Sequence, residues 1–324
     1  MSTALADSGG YIGQSGHSYR IERVLQEETS PPRRVCLATA GDRKFILKYI
    51  HTVNFGDLQE INNRLRGGAD HVRLVQDTIP EKSMFVFEYY ADHLLNITQK
   101  DLPLKVKKEI LKRALRGIAE LHDQDIVHTG RLHLSRNDIK PDNVFIDWKG
   151  DRDGIVIDRV QLGDLEDAAH IPPGSHMIGK QVGNWMWRSP EAHAKGPVNK
   201  PSDIFSFALV CIYAMHKRVI FAVGEEELDE GVDPLAIVIE RQISYFADED
   251  ALNGFLKYLG DNPWIRVFEV IRDGFNKNNP RRPFFLWKGV DDDFKSFIRA
   301  TTNFDPEKRI TAHEALAHKW FEGV

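Results

Sequence analysis

Cysteine is scarce in this chain: Cys36 and Cys211 are the only two in 324 residues, too few and too scattered for a disulfide framework or a zinc site. That scarcity favours a reducing intracellular compartment, cytoplasmic or nuclear. The opening stretch from Met1 to Asp7 has neither a basic start nor an apolar core, so no secretory signal is read there, and Ser2 breaks the myristoylation pattern. Long apolar runs are missing as well. The longest, Phe207 to Met215, falls far short of a membrane span and suits a buried helix. Excess charge of one sign is also absent: a net charge of -5 makes no case for nucleic acid or an anionic membrane as partner.

At 324 residues and 42% hydrophobic, the chain exceeds the usual single-domain size and suggests two lobes. Residues 1 to about 18 are rich in Gly, Ser and Ala and read as a disordered N-terminus. Short strands are expected at Arg20 to Leu25, Arg34 to Ala38, Lys44 to Ile50, Arg73 to Asp77 and Met84 to Glu88, with a helix over Asp57 to Arg66. Beyond these, helices dominate. Asp101 can cap a helix whose first turn holds Pro103 and whose apolar stripe is Ile110, Leu111, Ala114, Leu115, Ile118 and Leu121. Two apolar runs around the turn-rich Lys149 to Gly154 suggest a hairpin that folds Asp164 back beside Asn143.

The most informative stretch is Asp138-Ile-Lys140-Pro-Asp-Asn143. In phosphoryl transfer an Asp can accept the proton of an attacking hydroxyl, a Lys can neutralise the transferred group, and an Asn can hold a metal ion. Asp, Lys and Asn also cluster in ordinary turns, so the stretch needs companions. They follow in order: Phe45-Ile46-Leu47-Lys48, Gly163-Asp164-Leu165-Glu166, Trp187-Arg-Ser-Pro-Glu191, Ser202-Asp203-Ile-Phe-Ser-Phe207 and Asp305-Pro-Glu-Lys-Arg309. Together these resemble the V-A-I-K, D-F-G, A-P-E and later motifs of the eukaryotic protein kinases, from about Tyr19 to Phe321.

The resemblance implies an α+β, bilobal protein kinase-like fold: an N-lobe over 19–88 with a small antiparallel sheet plus one helix, and a mainly helical C-lobe over 89–324. It implies ATP and Mg²⁺ as cofactors and a protein substrate or binding partner. Asp138 and Lys140 would be catalytic, and Asn143 and Asp164 metal ligands. Lys48, Val35, Ile46, Glu88, Tyr90 and Phe145 would surround the nucleotide, with Phe87 as gatekeeper and Glu60 on the helix holding Lys48. Arg309 would pair with Glu191.

Four departures limit the carry-over. Leu25 to Val35 has no glycine where the family has G-x-G-x-x-G-x-V, so its backbone cannot clamp phosphates in the usual way, and Glu27 or Glu28 would repel them. Ile46 replaces a small Ala and Phe145 a Leu, which narrows the slot. Glu166 replaces the Gly of D-F-G. Eight residues, Gly130 to Asn137, separate His128-Thr129 from Asp138, an insertion in an H-T-D loop; the alternative alignment, Arg136-Asn137-Asp138, keeps neither His nor Arg. Two functions stay open: a Ser/Thr protein kinase, since Lys140-Pro141 follows the loop Asp as in that branch, or a pseudokinase that binds partners without transferring phosphate. A small-molecule kinase is disfavoured by the Ser189-Pro190-Glu191 and Asp203 segments.

Overall fold

Alternation of side chains across strands builds the first part of the molecule. The computed structural model describes residues 10–29, 32–128, 139–151, 154–178, 185–228, 231 and 233–324. Strands β1 (Tyr11–Ile12), β2 (Ser18–Thr29), β3 (Pro32–Ala40), β4 (Arg43–Tyr49), β5 (Asp77–Ile79) and β6 (Met84–Glu88) form one antiparallel sheet in the order β1-β2-β3-β4-β6-β5. One face buries Tyr19, Cys36, Ala38, Phe45, Leu47 and Val86 in a small core. Because side chains alternate, Val35, Ile46 and Lys48 point to the opposite face, over a cleft.

The sheet starts earlier than the expected boundary at residue 19. Tyr11 pairs with Tyr19, and Asp77 accepts bonds from the Ser15 backbone N–H at 3.1 Å and the Tyr19 hydroxyl at 3.0 Å. A Gly- and Ser-rich composition did not reveal these contacts, which depend on two tyrosines and a distant Asp. The strand expected over Arg73 to Asp77 is also displaced. Arg73 N–H bonds Leu162 O, and Val75 N–H bonds Asn62 Oδ1, so this segment stays off the sheet until the Gln76 N–H donates to Val86 O at 2.8 Å.

Helix α1 (Thr52–Leu65) buries Leu58, Ile61, Asn62 and Leu65, the one-sided spacing of an amphipathic helix. A short turn α2 (Leu94–Ile97) precedes α3 (Leu104–Asp123), whose predicted stripe is buried. Pro103, not Asp101, stands at the N-cap of α3; Asp101 instead pairs with Lys217. Gly117 allows close approach, since a Cβ there would lie 2.6 Å from His71 O.

After β7 (Asp92–His93) and β8 (Ile126–Val127), strands β9 (Val144–Asp151) and β10 (Gly154–Leu162) pair as the expected hairpin, with β7 along the other edge of β9. The remainder is mainly helical, with α4 (Pro190–His193), α5 (Lys200–His216), α6 (Pro234–Phe246), α7 (Glu249–Leu259), α8 (Ile265–Asp273), α9 (Asp292–Thr301) and α10 (Ala312–Leu316); three two-residue strands make short antiparallel pairs, β11 (Ala169–His170) with β8 and β12 (Met177–Ile178) with β13 (Pro197–Val198). Helix α5 is buried from Ser202 to Ala214 and forms the axis of the larger core. The result is the bilobal arrangement expected: an antiparallel sheet with one helix, then a mainly helical lobe. Among the described residues, no helix is long and apolar enough to cross a membrane.

Candidate active site

Between the sheet and the β9–β10 hairpin lies a cleft of about 530 Å³. Its roof carries Val35, Ile46 and Lys48; Phe87 and Tyr90 stand at the connection between lobes; Lys140, Asn143, Phe145 and Asp164 form the floor. Lys48 Nζ lies 2.6 Å from Asp164 Oδ1 and 2.6 Å from Glu166 Oε1. Burial alone would lower the Lys48 pKa, but the two carboxylates outweigh it and raise it. Burial likewise works against ionising Asp164, and Lys48 reverses the balance, holding that carboxyl below its ordinary value. For Glu166 burial prevails over Lys48 and the pKa rises.

The hairpin brings the two expected metal ligands together. Gly163 N–H donates to Asn143 O at 2.8 Å, so Asn143 and Asp164 flank one short bridge between the hairpin's ends. Asp164 adopts a left-handed backbone, φ 61° and ψ 58°, which costs little for Asp and turns the chain into the following helical turn. Lys140 pairs with Asp142 at 2.8 Å on the same floor. His128 is fully buried: its Nε2 lies 2.9 Å from Gly163 O, and its N–H donates to Asp203 Oδ2 at 2.8 Å. This ties the start of the loop to α5 and to the residue before Asp164. Thr129, the segment Gly130 to Asn137 and Asp138 lie outside the described residues.

Several expectations need correction. Glu60 does not reach Lys48; it is exposed on α1 and pairs with Arg64 at 2.9 Å, one helical turn away. Leu58 and Asn62 are the α1 side chains that face the cleft, so Lys48 finds its second carboxylate in Glu166. The Glu88 side chain turns away to Arg43 and Arg159, leaving only its carbonyl toward the site. Glu27 pairs with Arg34 at 3.7 Å and Glu28 with Gln26, while Leu25, Gln26, Arg33 and Val35 line the cleft. The expected repulsive acids are thus replaced there by a cation, Arg33.

Arg73 was missed altogether. It lines the cleft, with its guanidinium carbon 4.2 Å from the Phe145 ring centroid and 5.0 Å from that of Phe87. A charged residue between Val72 and Leu74 was the only signal, and it fits a surface strand equally well. Further down, Arg309 Nη1 meets Glu191 Oε1 at 2.7 Å with both side chains essentially inaccessible to solvent, and Ser202 Oγ donates to the same carboxylate oxygen at 2.7 Å. The pair joins the segment after the cleft to the C-terminal part of the chain, as the motifs implied.

The protein kinase domain model matches residues 44–321. The chain belongs to the protein kinase family. It is similar to serine/threonine-protein kinase SSN3 of Mycosarcoma maydis, 27% identical over 286 residues, which cover 82% of this chain and 37% of that protein. It is 23% identical over 212 residues to calcium/calmodulin-dependent protein kinase cmkB of Emericella nidulans, covering 65% of this chain and 39% of the relative. Against cyclin-dependent kinase 4 of Ovis aries the identity is 24% over 247 residues, 74% of this chain and 68% of the relative. The chain therefore spans well under half the length of the first two.

The family uses ATP with a divalent metal. The floor of this kinase cleft suits such an ion: an amide oxygen and a carboxylate, both hard donors, stand on adjoining strand ends beside two lysines.

Proposed function

We propose that this kinase transfers the γ-phosphoryl group of ATP, with Mg²⁺, to serine or threonine hydroxyls of proteins. The observation that carries the proposal is the convergence of Lys48, Lys140, Asn143 and Asp164 on one cleft from three separate stretches of sequence. Lys48 and Lys140 would bind phosphate oxygens, and Asn143 and Asp164 would hold Mg²⁺. Bound there, the ion supplies neutralising charge between phosphates. Asp138 would take the proton of the attacking hydroxyl as its oxygen bonds to the γ-phosphorus and the bridging P–O bond to ADP breaks. Glu166 would orient Lys48 in place of a helix acid. Positioning and electrostatics carry most of such chemistry, and these groups are what it requires. Lys140-Pro141 after the loop Asp and the names of the relatives support Ser/Thr as the acceptor.

A second reading, a pseudokinase scaffold, is favoured by one observation: both Lys48 and the base side of the cleft are engaged by the chain's own side chains. Labelled ATP, Mg²⁺ and generic Ser/Thr protein substrates decide between them. Transfer by the wild type that disappears in Asp138→Asn supports the kinase; equal signal in both, or none in either, removes it.

A further inference from the structure

A purine base needs two things of a cleft: a flat apolar surface to stack on and a backbone acceptor for its amino group. In this cleft both are taken. Arg73 lays its guanidinium over Phe145 at 4.2 Å and beside Phe87 at 5.0 Å, and donates to Glu88 O through Nε at 3.2 Å and Nη2 at 2.6 Å. Only 8% of the residue is exposed. Gly163 makes room for this arrangement, because a Cβ there would lie 2.7 Å from Phe145 Cε2 and 3.3 Å from Arg73 Cβ. The stem is fixed by the Arg73 N–H bond to Leu162 O at 2.8 Å. Burial lowers the Arg73 pKa to about 10, opposed by Tyr90, Asp164 and Glu88, so the cation persists at neutral pH.

We propose that Arg73 occupies the base position of the cleft and sets its nucleotide selectivity. An adenine base enters only when the guanidinium leaves both the Phe145 face and the Glu88 carbonyl. Apparent affinity then falls by the fraction of molecules in which that position is free. The phosphate end, with Lys48, Lys140, Asn143 and Asp164, carries no such obstruction from Arg73. The cleft of the wild type therefore draws its affinity from a magnesium polyphosphate, and the base adds little. This rests on the nucleotide reading proposed above.

Calorimetric titration of the full chain with Mg²⁺-ATP and with Mg²⁺-tripolyphosphate separates the two ideas. Arg73→Ala is expected to bind ATP about ten-fold or more tightly than the wild type, while tripolyphosphate binds both alike. Arg73→Gln, shorter and neutral, keeps a polar group for packing and is expected to move in the same direction, which covers the case in which the alanine variant fails to fold. Unchanged or weaker ATP binding in the folded variants, with tripolyphosphate binding intact, overturns the role of Arg73 alone. No binding of either ligand to any of the proteins overturns the nucleotide reading and this proposal with it.

Discussion

Glu166 Oε1 and Lys48 Nζ lie 2.6 Å apart, an ion pair made by a residue that stands where the family motif has glycine. The acid expected to hold this lysine, Glu60, is on the solvent side of α1. The anchor has thus moved from the helix to the loop that also carries Asp164, so Lys48 is held without any charged contact to α1.

The first prediction follows from that exchange. In phosphotransfer assays, Glu60→Gln leaves kcat within about two-fold of wild type, because a surface i,i+4 pair is worth only about 0.3–0.5 kcal/mol. Glu166→Gln, by contrast, loses an ionic partner of Lys48 and lowers kcat on the order of ten-fold. Equal effects of the two substitutions would return the anchoring role to the helix.

A second prediction concerns Glu191 and Arg309. Arg309 also donates to Pro201 O and Asn303 O, each at 2.8 Å, so its removal strips three acceptors and leaves a carboxylate buried. Arg309→Ala costs about 3–5 kcal/mol in urea unfolding, the range for breaking a buried pair by removing one partner. Arg309→Lys recovers only part, since an ammonium cannot reproduce the fork. A loss under 1 kcal/mol in Arg309→Ala would show the pair to be peripheral.

The third prediction is a pH dependence. Burial disfavours the Asp203 carboxylate, yet the hydrogen bond from His122 at 3.0 Å and the His128 N–H outweigh it and lower its pKa from the ordinary 3.8. The folded state thus holds the proton less tightly than the unfolded chain. The resulting stability is complete above the ordinary carboxylate value and is lost as pH falls through the depressed folded one. Urea titrations across the acid range give the test: Asp203→Asn has a flatter acid limb and is about 1–3 kcal/mol less stable near neutrality. An unchanged acid limb contradicts the assignment.

Gly117 offers a fourth. Helix propensity alone predicts that Gly117→Ala stabilises by about 1 kcal/mol. The close approach of His71 O, 2.6 Å from the added Cβ, is backbone and cannot swing aside. Overpacking of that kind costs about 1–3 kcal/mol, so the variant is expected to be less stable in thermal or urea unfolding. Greater stability would mean that the loop leading to Arg73 moves freely.

Legibility divided along physical lines. The roof of the site was readable because strand alternation places Ile46 and Lys48 on one face whatever the rest of the fold does. The hairpin before Asp164 was readable from turn residues between two apolar runs, and the Glu191–Arg309 pair from motif order. Helix rotation was not: α1 was recognised, but which acid faced the cleft depends on packing of Leu58 and Ile61 against distant residues. Arg73 was hidden for the same reason, since its burial depends on Phe145 and Gly163, far away in sequence. The early strand at Tyr11 depended on Asp77.

Lys48, paired here with Asp164, is proposed to serve a nucleotide's phosphates in a working kinase. Single-turnover transfer of labelled γ-phosphate from ATP to protein, with and without Mg²⁺, in wild type and Lys48→Met, tests it most directly. Mg²⁺-dependent label on serine or threonine is expected in the wild type, with a loss of about a hundred-fold or more in the variant. Equal labelling of the two proteins, or none in the wild type, would contradict it.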